Sequence, residues 1–152
     1  MHRTLGCLVV STLAVAAFAD DAKNEAIKKY HEQIQGTWRV VSLEINGNRA
    51  SDDDAKKITI VNGADGTWTA RSDGQDILKG TSNVDPTKDP RQVELIPDDG
   101  ENKGKQYLGI YELSETTRKL CVAPPDRGRP TTFASLPGSD VILVVLEREK
   151  AQ

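Results

Sequence analysis

The sequence predicts an all-β protein: a small eight-stranded antiparallel meander closed into a barrel, preceded by one short helix. Three observations carry that reading. After Gln35 the chain is a succession of short runs rich in Val, Ile, Thr and aromatic residues that alternate apolar with polar side chains, the pattern of strands with one face on a core. Short turns rich in Gly, Asn, Asp and Pro separate the runs, so consecutive strands are expected as antiparallel neighbours without crossover helices. At the head of the first run, Gly36-Thr37-Trp38 frees the backbone where helix gives way to sheet and then sets a large indole, a position suited to plugging the closed end of a barrel.

The elements follow in order. His2 and Arg3, an apolar run from Leu8 to Phe18, and the small-x-small triplet Ala17-Phe18-Ala19 before Asp20-Asp21 read as a secretory signal over residues 1–19. Residues 20–35 are rich in Ala, Lys and Glu, with Ala26, Ile27, Tyr30 and Ile34 at helical spacing, and read as an amphipathic lead-in. The barrel domain is expected over 36–149. Its first strand ends at the turn Ile45-Asn46-Gly47-Asn48, and Ser51 or Asp52 then caps a brief helical turn. Strands are expected at 57–61, 67–71, 76–84, 91–96, 105–113, 118–123 and 141–148, with a further short extended piece at 131–135. Gly80 and Gly109, inside strands, mark bends where the sheet curls. The last run is apolar over its first six residues, as a strand covered on both faces would be.

Composition narrows the function classes. The 152 residues carry a formal charge of −3, with Lys and Arg scattered, so no basic surface for nucleic acid is visible. The mean hydropathy of −0.50 suits one soluble domain. Once the signal leaves, no membrane span is expected. Cys7 departs with the signal, and Cys121 remains alone between Leu120 and Val122, which points to a buried thiol and excludes an internal disulfide. Beyond the signal His31 is the sole histidine, so neither a zinc site nor a serine triad is assembled from sequence, and no cofactor is expected. A facing carboxylate pair inside the barrel, such as Glu44 with Glu112, is left open by the sequence as a catalytic arrangement, and the enzyme reading is set aside in favour of binding.

The set Gln35-Gly36-Thr37-Trp38, Leu108-Gly109-Ile110-Tyr111-Glu112-Leu113, Leu120 to Pro125, Arg129-Pro130-Thr131 with Phe133, and Pro137-Gly138-Ser139 resembles a family of small exported lipocalin-like proteins from planctomycete bacteria. The resemblance spans about residues 33–149. It implies a barrel and export, and no assigned activity. It also implies that an arginine of the last strand lies over the motif tryptophan, which here pairs Arg148 with Trp38; Gly36, Trp38 and Arg148 are thus the expected structural residues.

The functional expectation is a noncatalytic module in the cell envelope, periplasm or medium, monomeric, holding a small hydrophobic or amphipathic ligand or a peptide. By alternation Trp68, Thr81, Tyr107 and Tyr111 are candidate lining residues. With two phenylalanines and three tyrosines, and with short loops, the chain argues against a deep hydrophobic pocket. The alternative is an interaction or inhibitor-like protein that presents the stiff Pro124–Pro130 loop to an envelope protein.

Overall fold

The structure is a computed structural model that describes residues 13–150. Helix α1 (Leu13–Ile34) leads directly into β1 (Gly36–Ile45), and eight further strands follow: β2 (Asn48–Arg49), β3 (Ile58–Asn62), β4 (Thr67–Ser72), β5 (Gln75–Asp85), β6 (Arg91–Pro97), β7 (Tyr107–Leu113), β8 (Thr117–Ala123) and β9 (Ile142–Arg148). A one-turn helix α2 (Asp52–Lys56) sits between β2 and β3. Most of the expected signal lies outside the described residues. From Leu13 onward its remainder is helical and continuous with the lead-in, so α1 starts earlier than position 20.

From β3 to β9 each strand pairs antiparallel with the next, and β1 pairs with both β3 and β9, which closes the sheet into a lipocalin-like barrel of eight strands. The ninth strand, β2, only extends the hairpin after β1. Closure runs from Trp38 opposite Arg148 to Ile45 opposite Ile142. A bulge between Val40 and Ser42 interrupts it. Because one extra residue reverses the alternation, Leu43 joins Trp38 and Val40 on the inner face.

One end of this barrel is plugged. Tyr30 and Ile34 of α1 and Trp38 of β1 are all buried and belong to the same core. The Trp38 indole Nε1 donates to the Ile34 carbonyl at 2.8 Å. The Arg148 guanidinium lies 4.4 Å from the Trp38 ring centroid, and it also donates to the carbonyls of Gln33 and Gln35 at the end of the helix. The expected pairing is therefore present, and it does two things: it covers the indole and satisfies carbonyls that a helix C-terminus leaves free. Lys23 reaches Asp85 at 3.3 Å and ties the helix to the end of β5.

Local sequence explains the small elements. Ser51 caps α2, its Oγ accepting from the Asp54 amide at 3.1 Å, as its position before three acidic residues predicts. Gly80 faces Trp68 across the β4–β5 ladder, and a Cβ there would meet the indole Cζ2 at 2.5 Å. Glycine at this strand position therefore leaves room for the aromatic ring. The 131–135 segment forms bends where a strand piece was expected. It packs on the outer flank of the barrel, where Cys121 Sγ lies 3.5 Å from the Thr132 carbonyl and 3.7 Å from that of Ala134. Cys121 and Ile110 point away from the barrel interior, yet both are buried, so the β8–β9 connection covers that flank.

Candidate functional site

Inside the barrel, between the plug and the far end, lies a cavity of about 280 Å3. Its walls are inward-facing aliphatic side chains from most of the strands, among them Val40, Ile60, Leu95, Leu120 and Val144. Small residues leave the space: Ala70 occupies a wall position of β4, and valines stand where larger groups would meet across the barrel. The volume is just under the ~300–1,000 Å3 of ordinary small-molecule pockets. Scarcity of aromatic residues, which argued against a deep pocket, is thus part of why the interior is not filled.

The cavity has distinct ends. Far from α1, Leu43, Ile58, Leu78, Tyr107 and Ile142 line it and are only half-buried, so this end forms the mouth. Asn102, from the loop between β6 and β7, donates to the Tyr107 hydroxyl at 2.7 Å and fixes that ring at the rim. Toward the plug the lining becomes polar at two points. Asn62 ends β3, opposite Gly36 and Trp68 in the two neighbouring strands. Arg118, near the start of β8, stands opposite Leu146 of β9. Asn62 is 4 % exposed and Arg118 3 %.

Arg118 is the unusual group. Its Nη2 donates to the Tyr30 hydroxyl at 2.5 Å and its guanidinium carbon lies 5.6 Å from the Tyr30 ring centroid, but its Nε has no partner. Asn62 Nδ2 is likewise without a partner. Among the described residues no carboxylate forms an ion pair with Arg118. Buried guanidinium groups stay charged and are normally paired, so this arrangement carries an uncompensated desolvation cost. Around it the plug holds more positive charge. Arg91 lies over the Tyr111 ring at 5.0 Å, and Tyr111 packs on Tyr30 with ring centroids 4.8 Å apart. Burial above all, then Tyr30, pushes the Tyr111 phenol up to about 12.

Of the four expected lining residues, Trp68 and Tyr107 do line the cavity. Thr81 does not: β5 turns Leu78, Gly80, Ser82 and Val84 inward, and Thr81 belongs to the other face. Its contribution is its carbonyl, which accepts from Trp68 Nε1 at 2.9 Å and holds the indole in place. Tyr111 points inward but is spent in the plug against Tyr30. Glu44 and Glu112 do not face one another across the interior. The β1 bulge gives Glu44 the face opposite to Leu43, and Glu112 pairs with Lys119 at 3.7 Å on the outer surface. Sequence reasoning missed Arg118 and Asn62. The signal was present, because each is the one polar member of an inward stripe, Arg118 with Leu120 and Val122, Asn62 with Ile58 and Ile60.

His31 and Cys121 are held apart from this cavity. The His31 ring packs edge-on against Tyr30 with centroids 5.4 Å apart. Its pKa is lowered by burial first and by Arg118 second, with Asp65 acting the other way. Burial pushes the Cys121 thiol up, against a smaller opposing effect of its hydrogen bond with the backbone at Ala134. The Pro124–Pro130 loop is anchored rather than free-standing. Arg129 donates from Nη1 to the carbonyls of Val93 at 2.9 Å and Gly109 at 2.6 Å, and only Asp126, Arg127 and Gly128 are exposed. Among the described residues no helix is long and apolar enough to cross a membrane. Comparison with protein-family models, with curated proteins and with solved structures finds no match.

Proposed function

We propose that this protein is an exported, noncatalytic member of the lipocalin-like family that carries a small apolar or amphipathic molecule inside its barrel. The observation that carries the reading is the cavity itself: about 280 Å3 of space walled by aliphatic side chains, half-covered at one end and plugged at the other. Burying apolar ligand surface there supplies affinity without new side-chain ordering, since the walls are strands already fixed by the sheet. Export rests on the basic, apolar and small-residue pattern of residues 1–19. The loop reading draws less support, because Arg129 ties that segment to the barrel and leaves a three-residue tip.

The test uses a neutral fluorescent probe, N-phenyl-1-naphthylamine, titrated into the purified protein. Saturable enhancement at one probe per chain, with quenching of Trp68 emission, is the expected result. It should vanish in Ala70→Leu, which places a branched side chain in the cavity. Absence of saturable binding to the wild-type protein overturns the carrier reading.

A further inference from the structure

We infer that the ligand is an apolar acid, bound tail toward the mouth and carboxylate toward the plug, where Arg118 and Asn62 receive it. The inference rests on the carrier reading above and adds the chemical class of the cargo. Two side chains that line the cavity, each more than nine-tenths buried, hold nitrogen donors without partners: Arg118 Nε and Asn62 Nδ2. Both occupy the strand ends nearest the helix, so they mark the floor of the cavity and not its rim. A ligand with an acceptor at one end satisfies both at once.

Charge decides between a neutral acceptor and an anion. The Arg118 guanidinium has a phenol as its only side-chain hydrogen-bond partner, and among the described residues no carboxylate forms an ion pair with it. The groups about it add positive charge or are already engaged: Arg91 stacks on Tyr111, Lys119 pairs with Glu112 outside, and the carboxylate of Asp65 is engaged by the Thr67 hydroxyl and amide. A carboxylate is planar and accepts two N–H donors, matching what the floor offers, and it restores the ion pair that the fold withholds. The remaining lining is aliphatic or aromatic, so the rest of the molecule is hydrocarbon.

The experiment compares decanoate, 1-decanol and decylammonium as displacers of N-phenyl-1-naphthylamine at neutral pH. Decanoate is expected to compete roughly tenfold or more better than decanol, the range of a hydrogen bond to a charged partner, with decylammonium weakest. In Arg118→Met the decanoate advantage over decanol disappears while decanol still displaces the probe. Asn62→Leu, which leaves the contact between Arg118 and Tyr30 intact, reduces the same advantage and serves should the first variant not fold. Equal competition by decanoate and decanol in the wild-type protein overturns the acid and leaves the carrier standing. No binding of the neutral probe overturns both.

Discussion

At the end of the barrel that carries α1, Tyr30, Ile34 and Trp38 are each no more than 3 % exposed, whereas Leu43, Ile58, Leu78 and Ile142 at the far end are only half covered. The same sheet supplies both ends. What differs is the filling. The plugged end gathers three large aromatic groups, Tyr30, Trp38 and Tyr111, together with three arginines stacked on them. Beyond it lies a cavity of about 280 Å3 lined mainly by aliphatic side chains, with Trp68 and Tyr107 among them. Close packing is therefore concentrated at the plugged end, and the other end stays open. The difference also explains how a chain with few aromatics keeps both a core and a cavity.

The largest effect should come from removing the plug. Trp38→Ala is expected to lower unfolding free energy by about 3–5 kcal/mol in urea denaturation, because a fully buried ring leaves a void in the densest part of the core. A loss under about 1 kcal/mol would show that the helix end does not hold the barrel. Arg148→Ala removes the cation over that ring and the donors to Gln33 and Gln35. A loss of about 1–3 kcal/mol is expected, and unchanged thermal stability would dismiss the pairing as a contributor.

Gly80→Ala tests the boundary between the two regions. The added methyl would collide with the Trp68 indole and the Ile96 carbonyl, so a cost of about 1–3 kcal/mol and a shift in Trp68 fluorescence are expected. Within the cavity the sign changes. Ala70→Leu grows into empty space and should alter stability by less than about 1.5 kcal/mol while abolishing probe binding. A large destabilisation from that substitution would mean the walls are packed more tightly than the cavity volume indicates.

The smallest effect is a pH dependence from His31. Its pKa is held below the ordinary 6.5 in the folded protein, by burial and by Arg118. As pH falls through 6.5 the unfolded chain takes up the proton first, so unfolding becomes more favourable there and stability decreases. Above that value both states are neutral and His31 contributes no slope. His31→Gln should flatten the slope just below 6.5 in a series of denaturation curves, and an identical slope in the variant would remove His31 as its cause.

Much of the barrel was legible in residue order. Alternation gave the eight strands, Gly36-Thr37-Trp38 gave the plug tryptophan, and Ser51-Asp52 gave the start of α2. These features depend on residues close in sequence or on a strict two-residue period. The site was legible only in part. Trp68 and Tyr107 were identified by alternation, but the same reasoning included Thr81, because parity within a strand does not say which of its faces turns inward. Glu44 was misplaced for another reason: the bulge at Val41 reverses the face of everything after it, and nothing local announces where a closing strand must accommodate β9.

The amino-acid order by itself determined the strands, their succession, the buried thiol of Cys121 and the tryptophan of the plug, since each follows from local period, turn chemistry or one conspicuous side chain. Tertiary structure alone decided that the interior stays open and that Arg118 and Asn62 end without partners at its floor. Whether a buried polar group is satisfied depends on what stands opposite it across a closed sheet, and that is set by register, bulge and strand tilt acting over the whole barrel.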